Sequence, residues 1–453
     1  MTRVLIPCGA LGLGFDRAAL AAGIAAKPDI IAIDGGSTDS GPFYLGTGTS
    51  KYSRTTSKAE WRDLMVARAN AGVPLVIGTS GTCGTNTAVD WMLEITRELA
   101  EELGQSLKIA TLYSDQPAER IKGALAEGRV LPLTPAPEIS DTALDACTNI
   151  VALAGAEQIL AALNTDADIV LAGRTTDTAI NSALPLAHGA HAGGAWHGAK
   201  IAECGALCST LPRSGVVILD FDDTGFTVTP MAKGAACTPH TVSAHMLYEN
   251  SDPFILFEPG GHLDVADAIY EALDERSVRV TGSRWVPSKS YTVKLEGARI
   301  AGYQTVGLAV LRDPRYVENA ANWAWDIKVR VGCEIEQRLG PEACNCDLEL
   351  RLIGVNAALG DLEPVAPMPV EVGVLAIVTA PTQALADEIG KIVNPYLLHH
   401  PLTAEEEMPT FAFPFSPAEI PRGPLFEFCL NHVMELEDPM EAFRLEVVDI
   451  VHG

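Results

Sequence analysis

Residues 29–42 read DIIAIDGGSTDSGP, an apolar run that leads directly into a polar turn rich in glycine. The run has the length of a β-strand, and its side chains are apolar on both faces. The same order of short apolar strand, Gly/Ser/Thr turn and amphipathic helix returns through the first 210 residues. Strands of this kind that alternate with helices are typical of a parallel sheet covered on both sides. The sequence therefore predicts an α/β fold with an N-terminal doubly wound, mostly parallel, Rossmann-like sheet.

Periodicity locates the elements of this region. The predicted strands are Arg3–Pro7, Asp29–Asp34, Pro74–Gly78, Leu107–Tyr113, Asn149–Leu153 and Asp168–Ala172. The predicted helices, in which apolar residues recur at a spacing of three and four, are Asp16–Ala26, Ser57–Ala71, Thr85–Leu103, Ala118–Ala126, Ala156–Leu163 and Asp177–Leu186.

The regular alternation breaks at Leu211–Gly215, where proline and glycine interrupt it. Beyond this point, segments such as 216–221 and 347–352 alternate like strands of a more antiparallel sheet. We therefore predict two domains. Residues 1–212 form the Rossmann-like domain, and residues 213–453 form a second α+β domain that contributes a rim to the cleft.

Composition and charge exclude several classes of function. The 453 residues carry 32 Lys and Arg against 58 Asp and Glu, a net charge of −26, which repels nucleic acid and anionic lipid. No apolar run approaches the roughly 20 residues of a membrane span, and the first residues show no signal-peptide pattern. The ten cysteines lack the framework of a secreted domain. We expect a cytoplasmic protein that binds neither nucleic acid nor membrane.

In an open parallel sheet, ligands bind at the carboxyl ends of the strands, where amide groups and helix N-termini favour anions. The first such turn is Cys8–Gly14, with glycines in the order GxxGxG and Asp34 about twenty residues later. This spacing reverses that of a dinucleotide-binding loop, GxGxxG. We therefore expect no cofactor, with NAD as an alternative. A Mg²⁺ site made by carboxylates is a further alternative.

The second turn begins at Asp34 and contains a second carboxylate, Asp39. Two acidic residues in so polar a loop could divide the roles of general acid and general base. The alternative is a turn network of hydrogen bonds made by the Asp side chains. The residues between them that we expect to bind substrate are Gly35, Gly36, Ser37 and Thr38.

The third turn, Gly78–Gly84, opens a long predicted helix. It lacks the Gly-Lys-Ser/Thr of a phosphate-binding P-loop, but its hydroxyl and amide groups could hold a carboxylate or phosphate. Cys83 is a candidate nucleophile because a helix N-terminus stabilises a thiolate, and a small buried thiol is the alternative. The other residues of this turn that we expect to bind substrate are Ser80, Gly81 and Thr82.

The fourth turn contains Arg174, whose planar guanidinium suits a carboxylate or phosphate. We expect it to clamp the anionic group of the substrate. Its neighbours Thr175, Thr176 and Asp177 are further candidates for substrate binding, although Thr176 or Asp177 could equally cap the following helix.

Two further segments are expected to border the same cleft. Residues 196–205 read as a helix that ends at a glycine and brings together Lys200, Glu203 and Cys204. Glu203 and Lys200 are candidate acid/base groups, Cys204 could assist or bind substrate, and a surface ion pair is the alternative. Glu258 lies in a Pro-Gly-Gly loop that could form the rim. The cysteines lack a second CxxC or a His pair, so we expect no metal.

Several of these segments resemble the acyclic terpene utilisation AtuA family. The shared motifs are DGGSTDSGP from Asp34, residues 78–84 with Asp90-Trp91, AGRTTDTA from Ala172, IAECG from Ile201, YENSDP from Tyr248 and FPFSP from Phe413. The resemblance extends over nearly the whole chain. Asp34-Gly35-Gly36 stands where many members have a Gly-Asp pair, which suggests a sub-branch.

The resemblance implies a role in catabolism. The family takes its name from a bacterial gene cluster that degrades citronellol- and geraniol-type terpenes through CoA thioesters, and many relatives occur beside a small companion protein. Some similar chains are named methylaspartate ammonia-lyase. We therefore expect a metal-independent lyase that adds or removes water or ammonia next to a carboxylate or acyl-CoA, with Arg174 as the anion clamp.

Two other functions remain alternatives to a lyase, and two protein partners are expected. One alternative is a hydrolase or acyl transferase that uses Cys83 or Ser80 as its nucleophile. The other is a non-catalytic subunit that binds acyl-CoA. The expected partners are a second copy of the chain, in a homo-oligomer, and a small companion protein.

Overall fold

Strands and helices alternate through the first half of the chain, in a computed structural model that describes residues 1–340, 345–365 and 368–452. The strands are β1 (Thr2–Ile6), β2 (Ile30–Asp34), β3 (Leu75–Gly78), β4 (Leu107–Tyr113), β5 (Val130–Pro132), β6 (Cys147–Ala152), β7 (Ile169–Ala172), β8 (Val217–Phe221), β9 (Gly225–Pro230), β10 (Ile255–Glu258), β11 (Gly261–Asp264), β12 (Ile269–Ala272), β13 (Val278–Thr281), β14 (Arg284–Pro287), β15 (Tyr291–Leu311), β16 (Asp347–Ile353), β17 (Val372–Ala380), β18 (Glu419–Leu436) and β19 (Arg444–Ile450). The helices are α1 (Arg17–Ala25), α2 (Phe43–Thr47), α3 (Arg54–Ala71), α4 (Asn86–Leu103), α5 (Ala118–Ala126), α6 (Asp141–Asp145), α7 (Ala156–Leu163), α8 (Ala179–Ala187), α9 (Ala192–Ala202), α10 (Pro239–His245), α11 (Pro314–Glu318), α12 (Ala320–Leu339) and α13 (Gln383–His399).

Five strands form the parallel centre of the large sheet, in the order β1-β2-β3-β7-β4. Ile33 of β2 pairs with Ile77 of β3, so the polar turns after these strands meet at one edge. The predicted α/β fold with a mostly parallel N-terminal sheet and more antiparallel sheets later in the chain is confirmed.

Both faces of this sheet are buried. Ile30 points into the apolar cluster that also contains residues of α7, α8 and α9, whereas its neighbour Ile31 points into the cluster with α1, α3 and α4. Because successive residues of a strand face opposite sides, a strand covered by helices on both sides must be apolar throughout. This is the physical reason why the run in residues 29–34 identified the sheet.

Side-chain caps explain where the helices of this region begin and end. Ser53 and Thr85 accept hydrogen bonds from the first turns of α3 and α4. Both helices end at a glycine in the left-handed conformation, Gly72 and Gly104. A polar cap at the start and a glycine at the end are the signals that sequence analysis relies on for such helices.

Antiparallel strands extend the parallel centre at both edges. Strand β8 pairs with β1 over its whole length, from Thr2↔Phe221 to Ile6↔Val217, and β9, β13 and β12 follow it. Strand β19 pairs with β4 at the other edge. The large sheet therefore continues past residue 212 instead of ending there.

The chain divides into two compact units. Unit 1 contains residues 1–299 and 428–453, and unit 2 contains residues 300–427. This grouping differs from the predicted ranges 1–212 and 213–453 because β8 and β9 complete the first sheet. One predicted strand also has a different partner: Asn149–Leu153 corresponds to β6, which pairs antiparallel with residues 295–299 of β15 instead of joining the parallel sheet.

Unit 2 has its own apolar core. Strand β17 pairs with β16 and with residues 303–311 of β15, all antiparallel. Helices α12 and α13 contribute Trp323 and Ile389 to the cluster formed with Val374 of β17. Among the described helices of the whole chain, none combines the length and the apolar character that crossing a membrane requires.

Candidate functional site

A cavity of about 960 Å³ opens at the carboxyl edge of the parallel strands in unit 1. This volume lies at the upper end of the range for small-molecule sites. The residues that line it are Cys8, Gly9, Ala10, Leu13, Gly14, Asp34, Gly36, Ser37, Asp39, Ser40, Lys51, Tyr52, Thr82, Asp177, Glu203, Cys204, Leu207, Pro212, Arg213, Gly215, Tyr248 and Glu249. Loops after β1, β2, β3 and β7 thus contribute to one cavity.

Two carboxyl groups, the buried Asp34 and the partly exposed Asp177, form a pair on the wall of this cavity. Burial raises the pKa of Asp34 well above its ordinary value, and the charge of Asp177 and a hydrogen bond with that carboxyl raise it further. Burial also raises the pKa of Asp177, although Arg174 and the hydrogen bond with Asp34 oppose this effect. A hydrogen bond between two carboxyl groups requires one proton, and these directions assign that proton to Asp34.

The rest of the second turn holds this pair in place. Gly36 donates its N–H to Oδ1 of Asp34 at 2.9 Å. The N–H of Gly35 donates to a backbone carbonyl of the third turn, and a Cβ atom at Gly35 would clash with that backbone. The hydroxyl of Ser37 donates to the carboxylate of Asp39 at 2.5 Å. This bond belongs to the kind of turn network that was the alternative to an acid/base role for Asp39. Thr38 is buried and donates to Glu296 at 3.2 Å.

The third turn is held by backbone hydrogen bonds within itself and to neighbouring segments. Its N···O bonds of 2.8–3.1 Å run from Thr79 to Gly173, from Ser80 to Ala172, from Thr82 to Gly35 and from Gly84 to Ser80. Thr79 and Thr82 have φ angles of 43° and 78°, a conformation that β-branched residues rarely adopt. Gly81 packs against Ala88 of α4. These N–H groups already donate to backbone carbonyls, so the predicted anion-binding role of this turn has little support. Of the turn's residues, only Thr82 lines the cavity.

Cys83 and Ser80 are both fully buried and do not line the cavity. Burial raises the pKa of the Cys83 thiol, which disfavours the thiolate that a nucleophile needs. Cys83 packs in a small apolar cluster with Leu45 and Val151. Cys83 therefore has the environment of a small buried thiol and not that of a nucleophile. Neither Cys83 nor Ser80 favours the hydrolase hypothesis.

Arg174 has a structural partner that the sequence did not reveal. It is 6% exposed, and its Nε atom donates to Glu296 at 2.9 Å. Its other N–H groups donate to Glu296, Thr38, Thr79 and the carbonyl of Thr175 at 3.3–3.4 Å. All five donors of the guanidinium are therefore used within the protein. Because Arg174 also does not line the cavity, the structure does not support the predicted anion clamp, and the residue positions its turn instead.

Lys200, Glu203 and Cys204 come together at the end of α9, as the helical spacing predicted. Lys200 donates to Glu203, and both side chains are about 5% exposed, so this is a buried ion pair rather than a surface one. Burial raises the pKa of Glu203 to about 8, with further contributions from Asp177 and Glu258, although Lys200 lowers it. Glu203 and Cys204 face the cavity.

The remaining predicted residues surround the cavity without lining it. Thr178 donates to the carboxylate of Glu258, and burial raises the pKa of Glu258 to about 7. Thr175 is buried against Thr79. Thr176 donates its N–H to the carbonyl of Ala154 at 2.9 Å.

Several cavity residues were not among those predicted from the sequence to bind substrate. Lys51, Tyr52, Arg213, Tyr248 and Glu249 line the cavity but lie outside the four turns. A lysine within a Gly/Thr/Ser segment and the YENSDP motif from Tyr248 were the available signals for three of them. No local pattern marks the other two, because helices and loops distant in the chain bring them to the cavity.

One group of side chains in the described part of the chain could hold a metal ion. A ring nitrogen of His245, the Sγ atom of Cys204 and a carboxylate oxygen of Glu203 all lie within 4.8 Å of one another. His245 is the last residue of α10 and was not singled out from the sequence. The sequence also contains two closely spaced cysteines, Cys344 and Cys346, and Cys344 lies outside the described residues.

The comparisons with known proteins identify the family. A sequence profile described as "Acyclic terpene utilisation family protein AtuA" matches residues 48–416. No significant match was found among curated proteins or among solved structures. The match spans the third and fourth turns, the Lys200–Cys204 segment, Glu249 and Glu258, and it covers far more than half of the 453 residues. The chain belongs to the acyclic terpene utilisation family of AtuA proteins.

Proposed function

We propose that this protein is a lyase that adds or removes water or ammonia at the carbon–carbon double bond of a small carboxylate or acyl-CoA. The observation that carries the proposal is the Asp34–Asp177 carboxyl pair on the wall of a large cavity. A pair that shares one proton offers an acid and a base at the same place. Family membership is consistent with a role in acyclic terpene utilisation, where unsaturated acyl groups are expected substrates.

The pair can complete a catalytic cycle without an external proton source. In the elimination direction, ionised Asp177 accepts the proton from the carbon next to the carbonyl, and that C–H pair of electrons forms the double bond. Protonated Asp34 donates its proton to the leaving hydroxyl or amine as the bond to that group breaks. Water or ammonia leaves, and the proton on Asp177 returns to Asp34 along their hydrogen bond. Addition is the reverse sequence.

Cationic side chains at the cavity offer a place for the anionic part of the substrate. Lys51 donates to Ser40 at 2.8 Å, and Arg213 is exposed at the cavity wall. We therefore assign to Lys51 and Arg213 the electrostatic role that the sequence suggested for Arg174. Both groups have donors close to solvent, as contacts to a carboxylate or a phosphate require.

The position of the two carboxyl groups predicts the stereochemistry. Because Asp34 and Asp177 are hydrogen-bonded neighbours, they approach the substrate from one side, and addition should be syn. The experiment screens unsaturated carboxylates and 2-enoyl-CoA thioesters of linear and branched chains by thermal shift, and then follows conversion in D₂O by NMR. A ligand that binds the native state raises its stability with concentration.

Variants test the assignment of the pair. Asp34→Asn and Asp177→Asn should each lower turnover by about 10²–10⁴-fold, the usual contribution of a general acid or base. Asp115→Asn is the matched control: burial raises the pKa of this carboxyl to about 6, but it lies outside the cavity, so turnover should persist. Full activity of Asp34→Asn, anti addition, or no conversion of any ligand that binds would contradict the proposal.

A further inference from the structure

We infer that Glu203, Cys204 and His245 form a binding site for one divalent transition-metal ion of the zinc class, with an open coordination position that faces the cavity. The site is defined by its own geometry. Only the role given below to the bound ion, holding a substrate oxygen, rests on the proposed function. A metal ion at this site would differ from the metal-independent chemistry expected from the sequence.

The geometry of the three ligand atoms is close to that of a metal centre. They lie within 4.8 Å of one another, and bonds of about 2.0–2.3 Å to zinc would bring them to separations of about 3.5 Å. Glu203 and Cys204 are consecutive residues at the end of α9, and His245 ends α10. Small side-chain rotations at two helix ends would complete the site.

The state of His245 points to a missing ligand. The side chain is 5% exposed, and its Nε2 atom is buried without a hydrogen-bond partner among the described residues. An unpartnered buried polar atom costs stability, and a metal bond would satisfy it. The ring also stacks on Tyr248, with centroids 5.3 Å apart, which restricts its orientation.

The chemistry of the donors selects the metal. A thiolate, an imidazole and a carboxylate form a mixed set that suits zinc and its neighbours, whereas Mg²⁺ and Ca²⁺ prefer oxygen alone. Three protein ligands with a vacant fourth position are typical of catalytic rather than structural zinc. Glu203 and Cys204 line the cavity, so the fourth position is directed there.

The surrounding charges favour a cation. Asp177 and Glu249 act electrostatically on Cys204, and Glu258 acts on Glu203. Lys200 opposes them, but it donates to Glu203 and so orients that carboxylate as an outer-shell partner would. A divalent ion would offset the acidic lining and could hold a carboxylate or thioester oxygen of the substrate.

The first experiment measures metal binding without substrate. The full chain is stripped with a chelator, checked by circular dichroism and titrated with Co²⁺ alone. We expect one equivalent to bind and to produce thiolate-to-cobalt charge-transfer absorption that Zn²⁺ abolishes by displacement. Cys204→Ser should remove this absorption, whereas Cys208→Ser, at a nearby buried cysteine, should retain it. His245→Gln should weaken binding by more than the roughly 10–100-fold typical of losing an outer-shell partner.

A second measurement does not depend on variants that fold. Thiol alkylation of the unmodified chain, located by peptide mass spectrometry, should show that Zn²⁺ protects the half-buried Cys204 but not the exposed Cys333. Binding of less than one equivalent, absorption that persists in Cys204→Ser, or equal alkylation of Cys204 with and without Zn²⁺ would overturn the site. Such a result leaves the syn-addition test of the carboxyl pair unaffected, and failure of that test leaves measured metal binding unaffected.

Discussion

At the residue scale, Asp34 combines features that conflict in a folded protein. It is 4% exposed and lies beside a second carboxyl group. When both acids are ionised, its Oδ2 atom receives no hydrogen bond from the described residues. A proton on Asp34 removes the repulsion and supplies the missing hydrogen bond. The same conflict that makes the residue useful as an acid makes it costly for stability.

Replacing Asp34 by asparagine should therefore stabilise the fold while it impairs turnover. A carboxyl whose pKa is raised by folding contributes stability below its unfolded pKa and loses it as the pH rises through its folded pKa. The amide of an asparagine would mimic the protonated acid at every pH, so we expect Asp34→Asn to gain about 1–3 kcal/mol relative to the wild type at pH 8. The gain should shrink at pH 4.

Thermal unfolding of both proteins across this pH range measures the effect. Asp223→Asn, at an exposed turn, is the control and should change stability by less than about 0.5 kcal/mol. A variant that is less stable than the wild type at pH 8 would show that Asp34 is buried as a well-compensated anion.

At the scale of elements, one ion pair joins the turn after β7 to strand β15. Arg174 and Glu296 are 122 residues apart in sequence and both nearly fully buried. Burial alone would raise the pKa of Glu296, but Arg174 and Lys294 lower it to about 2. The pair thus positions the turn that carries Asp177.

Removing one partner of this pair should be strongly destabilising. Glu296→Ala leaves the Arg174 guanidinium buried without its carboxylate, and we expect a loss of about 3–5 kcal/mol in urea-induced unfolding. The control Glu98→Ala removes an exposed partner of Arg54 and Lys58 and should cost far less, because solvent screens an exposed ion pair. The double variant Arg174→Met/Glu296→Leu should recover much of the loss. Equal effects of Glu296→Ala and Glu98→Ala would contradict a buried, mutually dependent pair.

At the scale of the whole molecule, helix α9 is buried within unit 1 with a histidine at its centre. His197 is fully buried, contacts Ser283 at 2.7 Å and Tyr270 at 3.1 Å, and so links the helix to the antiparallel part of the large sheet. Burial lowers the pKa of His197 to about 3. Folding therefore requires this ring to stay neutral.

This requirement predicts how stability depends on pH. The unfolded chain binds a proton at His197 below about pH 6.5, whereas the folded chain does not until about pH 3, so stability should fall as the pH is lowered through that window. His197→Gln should flatten this loss, because glutamine does not titrate. The free energy of unfolding of the wild type and the variant is measured at about pH 7.5, 6, 5 and 4, which spans the titration range of histidine. Parallel curves for the two proteins would contradict the prediction.

Much of the fold was predictable because its cause is local. The strands around Asp34 and Ala172 were recognised from apolar runs that must be buried on both faces, and α3 and α4 from their helical periodicity. The partner of β6 was not predictable, because a short apolar strand is compatible with either a parallel or an antiparallel neighbour.

The amino-acid sequence by itself determined the α/β class, the carboxyl edge at which polar turns gather, and the candidate acids Asp34 and Glu203. Only the tertiary structure decided what those turns do. In the folded chain, Arg174 donates to Glu296, and Asp34 forms a hydrogen bond with Asp177. His245 and Cys204 lie close together. The physical reason is that burial and the spatial neighbours of a side chain set its charge state and its free hydrogen-bonding groups, and those neighbours come from distant parts of the chain.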